Sequence, residues 1–157
     1  MLVIADTSAL LALATCEGLP LLDAIFHEVR VPQAVLQECV VAAKPLAQEL
    51  ETYLEHKVET VELADYVIAA AGLGKGELEA MALYKRLQAD RLLVDDHRAR
   101  RIATFNQINV IGSIGVLLLA RTGGLIPAIK PKLDAMQAGG IWVSEPLYSA
   151  ALRIAGE

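Results

Sequence analysis

Apolar positions along the chain fall into short bursts separated by longer stretches of helical spacing, and this predicts alternating strands and helices. Leu2–Ala5 is a short run with β-branched residues that ends at Asp6-Thr7-Ser8; it reads as a buried strand, with a helix from about Ala9. The spacing predicts a helix over Pro20–His27, a strand over Glu28–Val31 and a helix over Gln33–Val41. Pro32 is expected at the first helical position, where its missing N–H costs nothing. A further helix is predicted over Leu46–His56, and Val58–Leu63 alternates like a strand.

The run Gly72-Leu73-Gly74-Lys75-Gly76 breaks the pattern, and Glu77 opens a helix through Leu87. Arg91–Val94 reads as a buried strand running straight into Asp95-Asp96, followed by a helix over Arg98–Phe105 and a strand over Asn109–Ile111. Gly112–Arg121, Ala128–Gln137 and Glu145–Ile154 read as three closing helices. Alternation of this kind predicts an α/β fold with a parallel sheet covered on both faces. No repeat, low-complexity tract or linker divides the chain, so residues 1–157 are expected to form one domain.

Composition narrows the class. The hydrophobic share is 55% and the aromatic share 4%, with a mean hydropathy of +0.44, which predicts a core of aliphatic packing. An apolar surplus in a chain of 157 residues also favours a homo-oligomer or a protein partner. The N-terminal stretch has no basic leader segment and carries Asp6 within its apolar part, unlike a signal peptide. Val116–Ala120, closed by Gly115 and Arg121, is too short to span a bilayer. Cys16 and Cys39 give neither a disulfide framework nor a CxxC pair, so a cytoplasmic setting is expected.

The net charge of −5 and pI near 5.2 bear on function. Proteins that hold nucleic acid by electrostatics are usually basic, so such a substrate would need metal ions and a local basic patch to offset the carboxylates. Lys75, Arg98, Arg100, Arg101 and Arg121 are the available cations; they form no long run and read first as solvated charges.

Open parallel sheets bind ligands beyond the carboxyl ends of their strands, and in this chain those ends are acidic. Asp6 follows the first strand, and Asp95 and Asp96 follow the Arg91–Val94 strand. Glu38 and Glu77 lie on helices that could face the same edge. Gathered carboxylates repel one another unless cations or protons offset them. Mg²⁺ or Mn²⁺ favours oxygen ligands, and a pair of such ions can orient an attacking water and stabilise the leaving oxygen of a phosphodiester. Thr7 or Ser8 could add a hydroxyl for the water or a phosphate.

Each residue also has a plainer use. Asp6-Thr7-Ser8 can cap the following helix, and Asp95-Asp96 the next one. Glu38 fits a solvated helix position, while Glu77 and Glu79 fit the first turn of a helix, where a carboxylate suits the dipole. Glu79 is the weaker ligand candidate of the two. The glycine run resembles a dinucleotide loop, but Glu77 takes the place of the third glycine and no clear strand precedes it. There is no GxxxxGK[ST] loop, and Ser8 stands where a haloacid-dehalogenase-type phosphatase needs its second aspartate. His27, His56 and His97 show no zinc spacing, and Cys39 reads as a small buried residue.

The segments ADTSALLAL, VPQAVLQE with Glu38, GKGELEAMAL with Glu77 and LLVDDHRARRIA with Asp95 and Asp96 resemble a PIN domain of a bacterial and archaeal toxin-like branch. The tail IGSIGVLLLARTGGLIPAIKPKLDAM and the ending LYSAALRIAGE extend the resemblance over nearly the whole chain. It implies a three-layer α/β/α fold with a central parallel sheet and an acidic metal pocket. Carried over by position, Asp6, Glu38, Glu77 and Asp95 form the acidic set, with Asp96 competing with Asp95. Metal would rest on Asp6 and Asp95 or Asp96, with Thr7, Ser8 and Arg100 on the substrate side.

The resemblance further implies a Mg²⁺- or Mn²⁺-dependent endoribonuclease, held in check by a small antitoxin protein and acting as a homodimer on RNA. The rival expectation is a catalytically silent PIN-like module that works by binding a protein partner.

Overall fold

The run Leu2–Ala5 (β1) forms a fully internal strand, its Val3, Ile4 and Ala5 all buried. The structure is a computed structural model that describes residues 1–42, 45–63 and 72–157. Beside β1 the strands Glu28–Pro32 (β2), Val58–Glu59 (β3), Arg91–Leu93 (β4) and Val110–Ile111 (β5) form, among the described residues, an all-parallel sheet of five strands, ordered β3-β2-β1-β4-β5. The chain moves outward in opposite directions after β1 and after β4. Their carboxyl ends therefore flank the switch point of the sheet, where a crevice opens.

The described residues form the helices Thr7–Thr15 (α1), Leu19–Phe26 (α2), Gln33–Ala42 (α3), Ala47–Leu54 (α4), Lys75–Leu87 (α5), His97–Phe105 (α6), Ser113–Thr122 (α7), Lys130–Ala138 (α8) and Glu145–Ala155 (α9). Alternation along the central strands assigns them to two layers. Val3, Ala5 and Leu93 join a cluster with Leu10 and Leu13 of α1, Leu22 and Phe26 of α2, Val116 and Leu117 of α7, and Met136 of α8. Ile4, Leu92 and Val94 join the opposite cluster, with Ala80, Met81 and Leu83 of α5 and Ala99 and Ala103 of α6. Successive residues of a strand face opposite ways, so one short apolar run holds both layers to the sheet. The result is the expected three-layer α/β/α fold around a central parallel sheet. Among the described residues, no single helix is long and apolar enough to cross a membrane.

Several boundaries differ from the sequence expectation, each for a local reason. α1 starts at Thr7 rather than Ala9, because extended Asp6 already accepts the Leu10 N–H at its carbonyl. Pro32 closes β2 instead of opening a helix; its missing N–H costs nothing where the ladder ends. The same proline shortens β3. Glu59 pairs with Pro32, and beyond it the neighbouring backbone has turned into α3, so nothing remains for residues 60–63 to pair with. α5 starts at Lys75 with Gly74 as its N-cap, which puts Glu77 at the third helical position rather than the first. Residues 64–71, where a strand before the glycine run would fall, lie outside the described residues.

Candidate active site

Asp6 extends β1 by one residue, and its N–H donates to the Leu93 carbonyl of β4 at 2.9 Å. That bond fixes it at the switch point. Only 3% of Asp6 is exposed, and its Oδ1 is buried with no hydrogen-bond partner among the described residues. Although Asp6 stands at the N-cap of α1, its side chain makes no capping bond, so capping does not account for this aspartate. Burial is the largest influence on its carboxyl, which is pushed up from 3.8 to about 6. Glu77 and Glu38 add to the rise, while the Thr7 N–H and the Ser8 hydroxyl act against it. Asp6, Glu38 and Glu77 therefore share one electrostatic neighbourhood, although they come from β1, α3 and α5.

Glu38 is held from two sides. The Thr7 hydroxyl donates to its Oε2 at 2.8 Å, and the Gly76 N–H donates to its Oε1 at 3.0 Å. The approach at Gly76 is close: a Cβ there would lie 2.6 Å from both Glu38 oxygens, so the carboxylate would have to shift. Glu77 accepts the Gly74 N–H at 2.8 Å and so also caps its own helix, as its place in the first turn suggested. Glu79 is buried and accepts the Ala34 N–H at 3.1 Å, satisfying one of the open donors at the start of α3. It serves structure rather than the acidic site.

Ser8 links the two strand ends. Its hydroxyl donates to Asp6 Oδ2 at 3.3 Å and accepts the Asp95 N–H at 3.2 Å. Asp95 and Asp96, equivalent in the sequence, part company here. Asp96 is the N-cap of α6, its Oδ1 accepting the Ala99 N–H at 2.8 Å. Asp95 is half-buried at the crevice, its Oδ1 accepting the Ser113 N–H at 2.7 Å and its Oδ2 the Ser113 hydroxyl at 2.6 Å. Arg100 donates from Nη1 to the Val94 carbonyl at 3.0 Å. The same nitrogen would lie 2.8 Å from a Cβ at Gly112, and Asp95 Oδ1 2.9 Å from it, so a side chain there would displace one or both. Arg100 thus braces the turn that carries Asp95.

Two participants escaped the sequence reading. Ser113, the first residue of α7, grips Asp95; its signal was a Gly-Ser pair directly after a strand, the same strand-to-helix pattern as Val94-Asp95-Asp96. Gly76 was read only as part of a break. Cys39 was expected to be buried and is fully so. It lies beneath the acids: burial above all, with Asp6 and Glu38 adding, pushes its thiol up to about 12, against a smaller lowering by Thr7.

Among the described residues, no three His, Cys, Asp or Glu side chains are gathered as a ready-made metal cage. A hard divalent cation that keeps most of its waters needs only one or two direct carboxylates. Asp6 fits that demand, because a buried carboxylate oxygen without a donor lacks the positive partner that its ionised form requires. Glu38 and Glu77 fit as neighbours whose repulsion such a cation would relieve. Both Asp95 oxygens already accept a hydrogen bond, but each keeps a further lone pair. An open groove of about 380 Å³, lined by His27, Glu28 and His56 among others, lies at the opposite edge of the sheet and contains none of these acids.

The family model described as PIN domain matches residues 2–157. No curated protein and no solved structure matches the chain.

Proposed function

We propose a function from one premise: this chain belongs to the PIN-domain family, a family of nuclease type. The reading is a Mg²⁺- or Mn²⁺-dependent endoribonuclease of the toxin kind, hydrolysing RNA phosphodiesters at the carboxyl ends of β1 and β4. The observation that carries it is Asp6, buried at the switch point with one oxygen that has no partner among the described residues and two further carboxylates in its field.

In this reading Asp6 and Asp95 would hold the metal, while Asp96 keeps its capping role. When bound, a divalent ion supplies positive charge for the phosphate oxygens and lowers the pKa of a coordinated water. Glu38 and Glu77 would orient an attacking water, and Thr7 and Ser8 fix the carboxylates through the bonds described above. Ser113 prevents Asp95 from turning away. A small antitoxin that covers the pocket and a homodimer that buries exposed apolar side chains belong to the same proposal.

The test is cleavage of a mixed structured-RNA pool by purified protein, with Mg²⁺ or Mn²⁺, with chelator, and with Asp6→Asn in parallel. The expected result is metal-dependent cutting that disappears in the variant. Equal cutting by folded Asp6→Asn would overturn the proposal.

A further inference from the structure

A nuclease must also hold the strand on either side of the scissile phosphate, and the following inference rests on that reading. α6 begins at the acidic site: its N-cap is Asp96, and Asp95 immediately precedes it. Its sequence, HRARRIATF, contains no carboxylate, although the chain as a whole carries a net charge of −5. At 3.6 residues per turn, His97, Arg98, Arg101, Thr104 and Phe105 fall on one arc of the helix. All five are exposed, whereas Ala99 and Ala103 on the opposite side are buried.

Three features set this arc apart. Arg101 makes no ion pair among the described residues. Phe105 is 77% exposed, so a full aromatic ring stands in solvent one helical turn beyond that guanidinium. Arg98 lies against the backbone of Gly72, which brings the basic end of the arc to the loop before Glu77. A guanidinium followed by an open ring suits an unpaired nucleotide, whose phosphate takes the charge and whose base stacks on the ring. Paired bases offer no such face.

We infer that the outer face of α6 is the surface that seats single-stranded RNA beside the acidic site. Arg101 meets a phosphate and Phe105 stacks one base. The track runs about 13 Å from Asp96 to Phe105 at 1.5 Å per residue, room for a few nucleotides leading away from the metal site.

The test is fluorescence anisotropy of a labelled oligouridine single strand with the full chain, in chelator, so that binding is read without cleavage. Phe105→Ala should weaken binding by about fivefold or more, the lower end for loss of one stacked base. Arg101→Ala should weaken it and flatten the slope of log affinity against log salt by about 0.7, one phosphate contact on a single strand. Arg153→Ala, an exposed arginine on α9, should leave both readings unchanged. Wild-type affinity in either α6 variant, or an equal loss in Arg153→Ala, overturns the inference. If the wild type binds through α6 but never cleaves, the nuclease reading fails and the surface stands. Cleavage with unaltered binding in the α6 variants gives the reverse.

Discussion

Replacing Asp6 by Asn should stabilise the metal-free protein at neutral pH. The carboxyl is held at about 6 in the fold against 3.8 as an ordinary side chain, mainly by burial. Between these values the folded chain keeps a proton that the unfolded chain has released. Stability therefore falls as pH rises through that window, and the loss is complete above about pH 6. At about 1.4 kcal/mol per pH unit, the ionised carboxylate costs the fold up to about 3 kcal/mol at pH 7.5. With 3% exposure, solvent screening relieves little of this. An amide of the same shape avoids the charge and can donate to the neighbouring carboxylates. Denaturant unfolding in chelator, from pH 4 to pH 8, should show the two proteins nearly equal at the acid end and diverging above it. A gap of about 3 kcal/mol corresponds to a rise of about 6–12 °C in Tm for a chain of this size. Mg²⁺ should then raise the Tm of the wild type and leave the variant unmoved. A variant less stable than wild type at pH 7.5, or a gap that does not change with pH, would refute the reasoning.

Three further outcomes follow from the bonds that hold the other acids. Gly76→Ala should cost about 1–3 kcal/mol in denaturant unfolding and lower cleavage, because its Cβ would meet both Glu38 oxygens at 2.6 Å; unchanged stability would mean that Glu38 moves aside freely. Ser113→Ala removes the 2.6 Å bond to Asp95 Oδ2 and should cost about 1.5–3 kcal/mol while raising the metal concentration needed for half-maximal cleavage, with Ser113→Thr restoring both; a metal requirement equal to wild type argues against the grip. Asp96→Ala should lose about 1 kcal/mol as a missing N-cap, recovered in Asp96→Asn with activity kept, whereas Asp95→Asn should lose activity; the reverse assignment in a cleavage assay would make Asp96 the ligand.

What the sequence determined by itself was the order of elements and the chemistry at their ends. Short apolar runs such as Leu2–Ala5 and Arg91–Val94 announced buried strands, because they are too short for a helix and a strand covered on both faces tolerates a continuous apolar run. The aspartates directly after them marked the edge where an open parallel sheet binds. Those are local signals, carried by neighbouring residues. Convergence is not local. Glu38 and Gly76 meet because α3 and α5 pack side by side across many residues of chain, and no spacing in the sequence encodes that approach. The same holds for Asp95 and Asp96, adjacent and chemically identical, which parted only when α7 delivered Ser113 to one and α6 offered its first turn to the other. Pro32 and the length of β3 were decided by the ladder, whose extent depends on a partner strand rather than on the residues themselves. The desolvation that pushes Asp6 up is a property of the packed core around it; in the extended chain its carboxyl would meet only water.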